Sequence, residues 1–83
     1  MLRVEKLICK DPKFFKGCKW RRTTLKYPDE NLALLESRLE KMVLKTGVAC
    51  RIFHSQKGLL LTIKKGHDKK LFVQDYGNLP LTS

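Results

Sequence analysis

The sequence predicts a single small domain of the α+β class, with one helix packed on one face of an antiparallel or mixed sheet of four to five strands. Three observations favour this class. The chain has 83 residues, a length that forms one domain with one thin hydrophobic core. A central segment has apolar residues at helical spacing, and the segments on both sides alternate with a period of two. Residues 1–83 are therefore predicted to form one basic domain with the element order β-β-α-β-β-β.

Two extended segments are predicted before the helix. Residues 2–9 form the first, and Pro12 marks the turn that follows, because proline fixes φ and holds the residue before it in extended geometry. Residues 18–27 form the second, since the tryptophan, threonines and tyrosine of this segment favour strands. The connection between the two strands contains Phe14 and Phe15.

The helix is predicted from Glu30 to Lys45. Pro28 suits the approach to its first turn, and Asp29 has a carboxylate that can cap the free N–H groups there. Gly47 is a typical C-terminal stop, because glycine readily adopts positive φ. Apolar residues at helical spacing predict the face that packs on the sheet: Leu32, Leu35, Leu39, Met42 and Val43.

Three strands are predicted after the helix. Their ranges are 48–53, 59–65 and 70–74, and the turns between them are 55–58 and 66–69. In the middle strand the alternation places Leu59, Leu61 and Ile63 toward the core. Residues 79–83 are predicted to form a loose tail.

Positive charge is the strongest functional signal in the composition. Eighteen Lys and Arg residues against eight Asp and Glu residues give a net charge of +10. Residues 1–26 have nine bases and two acids, residues 27–56 have four of each, and residues 57–83 have five bases and two acids. Charge of one sign repels itself unless a partner of opposite sign neutralises it. The basic ends of the chain therefore predict an anionic partner, and the neutral middle is typical of a structural helix.

The first candidate binding segment lies in the predicted second strand. Bases are interleaved there with two aromatic residues, Trp20 and Tyr27. The candidate binding residues are Lys16, Lys19, Trp20, Arg21, Arg22 and Lys26. Such a pattern can place cations on phosphates while a ring stacks on a base. On a strand, Lys19 and Arg21 share one face and Trp20 and Arg22 share the other. The alternative is a solvated sheet face with Trp20 and Tyr27 in the core.

The second candidate segment is a turn flanked by four lysines, Lys64, Lys65, Lys69 and Lys70. Lysines beside a glycine-containing turn can contact a phosphate backbone. The alternative is a charged turn that keeps a sheet edge from aggregating.

The cysteines and histidines give a weak case for metal binding. Cys9, Cys18 and Cys50 are an odd number of cysteines with no export signal before them, so reduced thiols in a cytoplasm are expected. Cys50 and His54 are spaced C-x3-H, and the other two cysteines would complete a set of four ligands. On one strand Cys50 and His54 lie about 13 Å apart. No metal and no other cofactor is therefore expected.

The sequence is interpreted as that of a non-catalytic, cytoplasmic nucleic-acid-binding protein, with RNA or single strands as the favoured ligand. One alternative is a small viral or mobile-element protein that binds and blocks a host protein. Another is a toxin-like ribonuclease that uses His54 or His67 as a general base. The helix followed by a lysine-rich hairpin is similar to small double-stranded-RNA-binding-like toxins, but their glycine–histidine signature is absent here. A membrane partner is not expected, because no apolar run approaches about 20 residues and the predicted helix is net neutral, unlike a basic amphipathic anchor.

Overall fold

A five-stranded antiparallel sheet with one helix on one face forms the structure, a computed structural model that describes residues 1–76. This architecture confirms the predicted α+β class. The strand order is β2-β1-β3-β4-β5, and all four pairings are antiparallel. The predicted tail at 79–83 lies outside the described residues. The elements are β1 (Leu2–Asp11), β2 (Lys16–Tyr27), a 3₁₀ turn (Asp29–Asn31), α1 (Leu32–Thr46), β3 (Cys50–His54), β4 (Gly58–Lys65) and β5 (Leu71–Asp75).

The helix ends as the sequence predicts but begins differently. Gly47 has φ 75°, and its N–H donates a hydrogen bond to the carbonyl of Val43, as expected for a C-terminal stop. At the other end, Asp29 lies in the 3₁₀ turn and does not cap the helix with its side chain. Its carboxylate instead contacts the N-terminal amine and His54. A long-range contact therefore replaces the predicted local one.

The hydrophobic core lies between α1 and one face of the sheet. Leu35, Leu39 and Val43 of the helix are buried, as the apolar stripe predicts. Leu34 and Leu44, which lie off this stripe, are 52% and 42% exposed. The sheet contributes the rest of the core: Leu2, Val4, Cys50, Ile52, Leu60, Leu61 and Ile63. The helix covers this face, which leaves the opposite face of the sheet, the helix-free face, without a covering element among the described residues.

A two-stranded arm extends from the sheet. Strand β1 is paired with β3 only from Leu2 to Lys6, whereas its pairing with β2 continues as far as Asp11 and Lys16. Residues 8–19, called the arm below, therefore continue past the point where β3 begins. The antiparallel order places the end of the arm at the same end of the sheet as the C-terminus of α1 and the turn between β4 and β5.

A disulfide between Cys9 and Cys18 joins the two strands of the arm, so the expectation of three reduced cysteines is wrong for this structure. The two residues are direct cross-strand partners, a proximity that depends on the register of the hairpin. The spacing C-x8-C alone does not reveal that register. Cys50 is buried with a free thiol, and burial raises its pKa above the ordinary thiol value.

A thiol count tests this disulfide. Protein unfolded without reductant is expected to present one reactive thiol per chain, that of Cys50, and protein unfolded after reduction is expected to present three. The folded protein should react slowly, because the remaining thiol is buried and its pKa is raised. A colorimetric thiol reagent measures all three states. Three thiols without reductant would contradict the Cys9–Cys18 bond.

Within residues 1–76, no helix has both the length and the apolar character needed to cross a membrane. The 15-residue helix α1 carries charges along its exposed side.

Candidate nucleic-acid interface

The helix-free face collects basic residues from the two strands at one edge of the sheet. Cross-strand partners share a face, and the register pairs Arg3 with Lys26, Glu5 with Arg22 and Leu7 with Trp20. Arg22, Lys26 and Trp20 therefore lie on the same face as Arg3. Arg22 and Lys26 are four residues apart, so strand alternation keeps both on this face, and the irregularity in the register between Arg3 and Glu5 accommodates the two additional residues of β2.

Arg51 forms the centre of this face. Its guanidinium lies 4.3 Å from the centroid of the Trp20 ring and 4.8 Å from that of the Phe53 ring. Glu5 holds it from a third side, since Oε1 accepts hydrogen bonds from Nε at 2.9 Å and from Nη2 at 2.7 Å. These three neighbours fix the orientation of the guanidinium. The result is an ordered group of two rings and one planar cation, called the Arg51 cluster below.

Trp20 lies outside the hydrophobic core. It is half-buried on the helix-free face, and the core cluster under α1 does not include it. Tyr27, by contrast, packs against that core. The alternative interpretation of Trp20 as a core residue is therefore not supported by its position.

The predicted basic segment of β2 is divided between the two faces, as strand alternation requires. Lys19 is paired with Ile8, and Arg21 with Lys6, so both lie on the side opposite Trp20 and Arg22. Both are exposed there. Lys16 lies at the end of the arm, opposite Asp11.

The lysines of the second candidate segment surround the β4–β5 turn. Lys64 is exposed and is paired with Phe72, whose ring is 61% exposed. Lys65 points the other way, and its Nζ donates a hydrogen bond to the carbonyl of Leu44 near the end of α1 at 3.0 Å. Lys69 and Lys70 are exposed in the turn itself.

The two lysine- and arginine-rich segments lie at different places on the sheet. The first segment is in β2, and the second lies at the end of β4 and in the turn to β5, so β1 and β3 separate them. Lys64 nevertheless shares the helix-free face with Arg51, because Thr62, two residues before it, is the direct partner of Arg51. The bases of this face therefore extend from β2 to β4, and β5 contributes Phe72 and Gln74 to it.

Sequence reasoning missed several residues of this face. Arg3, Arg51, Phe53 and Phe72 were not predicted as binding residues. Alternation within the strands could have assigned each to a face. The pairing of strands far apart in sequence was needed to bring Arg51 to Trp20.

His54 is a structural residue. Its Nδ1 accepts hydrogen bonds from the backbone N–H groups of Gln56 and Lys57, each at 3.0 Å, so the proton is on Nε2, which donates to Asp29 at 2.8 Å. A salt bridge and hydrogen bond from the N-terminal amine, and then the bond from His54, lower the pKa of the Asp29 carboxyl below its ordinary value. With both ring nitrogens engaged, His54 is poorly suited to act as a general base.

The four candidate metal ligands, Cys9, Cys18, Cys50 and His54, do not form a common site. Cys9 and Cys18 are bonded to each other, and Cys50 is buried under the helix. Across residues 1–76, no group of three or more His, Cys, Asp and Glu side chains could hold a metal ion. His67 is exposed in the β4–β5 turn, away from His54 at the other end of the sheet.

Comparisons with protein-family models, curated proteins and solved structures found no match. The function is therefore inferred from the geometry and charge of the helix-free face.

Proposed function

We propose that this protein binds single-stranded RNA on the helix-free face of its sheet, without catalysing a reaction. The observation that carries the proposal is the Arg51 cluster, in which a guanidinium lies over the rings of Trp20 and Phe53 on a face bordered by bases. The bordering bases are Arg3, Arg22, Lys26 and Lys64.

The side chains of this face are chemically complementary to a single-stranded nucleic acid. Nucleobases stack on aromatic rings and on guanidinium planes, and lysines and arginines around them neutralise the phosphates. Glu5 is the acidic member of the group, and its ion pair with Arg51 offsets its charge. An approaching phosphate therefore meets a net positive surface.

The shape of the face favours single strands over duplexes. A broad sheet cannot enter the deep, narrow major groove of an RNA duplex, whereas unstacked bases can lie flat across it. RNA is proposed ahead of DNA because RNA presents loops, bulges and ends whose unstacked bases can stack on aromatic side chains and guanidinium planes.

A cytoplasmic location is part of this proposal, since an RNA-binding protein meets its ligand there. Disulfides are uncommon in a reducing cytosol, so the Cys9–Cys18 bond bears directly on this point. Thiol trapping in intact cells, before lysis, tests it. Reduced Cys9 and Cys18 in trapped protein would support the cytoplasm, and a complete disulfide would place the protein in an oxidising compartment.

The salt dependence of binding tests the role of the face. The slope of log K against log salt is about −0.7 for each phosphate contact with a single strand. Arg22→Gln removes a base from the helix-free face and is expected to reduce the magnitude of the slope by about 0.7. Arg21→Gln is the matched control, because this exposed arginine is adjacent in sequence but lies on the opposite face. Anisotropy of a labelled oligouridine at several salt concentrations measures both variants.

Equal losses in the two variants would show a diffuse electrostatic attraction in place of a defined face. A parent protein with no measurable affinity for RNA or DNA at low salt would end the nucleic-acid proposal.

A protein partner is the second candidate function, and one observation favours it. Phe14 and Phe15 are each 67% exposed at the turn of the arm, an unusual position for two large apolar side chains. Exposed aromatic residues commonly form the centre of protein interfaces. Binding to a protein that survives high salt and buries these rings would favour the interpretation as an inhibitor of a host protein over nucleic-acid binding.

A further inference from the structure

The sheet contains a gap beside the arm. Strand β3 begins at Cys50, where it is paired with Lys6 on one side and Ile63 on the other, and the chain before it turns away toward α1. Strands β1 and β4 both continue past this point, to Asp11 and Lys65. A third strand is therefore missing between them, and the space it leaves is a cavity of about 540 Å³.

The walls of this cavity are apolar and its rim is basic. Leu7, Ile8, Val48 and Ala49 are among the residues that line it. Phe15 of the arm, Lys64 and Lys65 line both this cavity and an adjoining one that reaches Phe72. We call the two together the arm groove. Among residues 1–76, no carboxylate lines either part of it.

The arm groove is continuous with the helix-free face. Lys64 and Phe72 are cross-strand partners on that face, and they also line the groove. A polymer that crosses the Arg51 cluster can therefore reach the groove without leaving the basic surface.

We propose that the arm groove holds an unpaired nucleotide, with its base against the rings of Phe15 and Phe72 and its phosphate at Lys64. This inference rests on the proposed function and extends it to a defined subsite. The volume lies within the range of small-ligand sites. A flat ring with an attached anion fits the aromatic side chains and Lys64 together, whereas a purely apolar occupant would not engage the ammonium group of Lys64.

The conformation of Phe15 supports a role for its ring. Its φ is 52°, in the left-handed region that favours glycine, yet the position holds a large aromatic residue. The disulfide between Cys9 and Cys18 ties together the two strands that carry this turn, which limits how far the ring can move from the groove.

Phe15 and Phe14 form a matched pair for the experiment. Both are 67% exposed and they are neighbours in sequence, but only Phe15 lines the groove. Phe15→Ala is expected to weaken binding of a short labelled oligouridine by about tenfold, because the loss of one stacked base has this order of effect. Phe14→Ala is expected to bind like the parent, and the salt slope should be unchanged in both. Phe72→Ala should reproduce the effect of Phe15→Ala.

Phe15→Gly separates binding from stability. Glycine adopts positive φ without strain, so this variant should melt no lower than the parent and still bind weakly. Thermal melts followed by circular dichroism accompany each titration.

The outcomes separate the subsite from the proposed function. Parent-like binding by Phe15→Ala and Phe72→Ala, with weakened binding by Arg22→Gln, would overturn the subsite and leave the helix-free face as the RNA site. Equal losses in Phe14→Ala and Phe15→Ala would also overturn it. Absence of RNA and DNA binding in the parent would overturn both, and tight binding of an acidic peptide that depends on Phe15 would assign the groove to a protein partner.

Discussion

Leu39→Asp is expected to abolish the folded state. Leu39 is 2% exposed at the centre of the buried stripe of α1, between Leu35 and Val43. A carboxylate there either stays charged without a partner or is protonated without hydrogen bonds, and either costs several kcal/mol. Small domains have total stabilities of about 5 kcal/mol or a little more, so this single change is comparable with the whole free energy of unfolding.

Leu34→Asp is the matched control for this change. Leu34 belongs to the same helix but is 52% exposed, so the same substitution should alter the free energy of unfolding by no more than about 0.5 kcal/mol. Circular dichroism melts of the two variants measure the contrast. If Leu39→Asp melts like the parent, α1 does not pack on the sheet through this stripe.

Arg51→Ala is expected to destabilise the protein by about 2–4 kcal/mol. The side chains of Arg51 and Glu5 are 23% and 13% exposed, so removal of the guanidinium leaves a largely buried carboxylate without its cation. It also removes the planar group that lies over Trp20 and Phe53. RNA affinity should fall as well, because the two rings lose the group that orders them.

A double-mutant cycle isolates the ion pair. If Glu5 contributes to stability through its ion pair with Arg51, adding Glu5→Gln to Arg51→Ala should recover part of the lost free energy of unfolding, since no unpaired carboxylate then remains. Urea unfolding of the parent, both single variants and the double variant measures the coupling energy. Arg22→Gln is the control for loss of an exposed base, with an expected change within about 0.5 kcal/mol. Additive effects in the cycle would contradict a direct interaction between Glu5 and Arg51.

Several elements could be predicted because their signals are local. The apolar stripe of α1 depends on residues three and four apart, and the stop at Gly47 depends on the backbone freedom of one residue. Alternation within β2 separated Lys19 and Arg21 from Trp20 and Arg22 without knowledge of the partner strand.

Local signals failed where a distant residue competed. Asp29 follows the pattern of a helix cap, but its carboxylate binds the N-terminal amine and His54, which is 25 residues away. In β4, alternation placed Leu60 away from the core, yet the register shifts between Ile52 and Phe53, and Leu60 is buried. Both differences arise from contacts with residues that are distant in sequence.

The sequence by itself determined the α+β class, the buried stripe of α1 and the net positive charge, because composition and periodicity are properties of the chain alone. Tertiary structure decided the strand order, the Cys9–Cys18 disulfide and the arm groove. It also decided the Arg51 cluster, in which Arg51 and Glu5 are 46 residues apart in sequence. Register and strand pairing depend on which faces of the strands are buried against each other across the whole fold, and the sequence of one β-strand does not specify its neighbours.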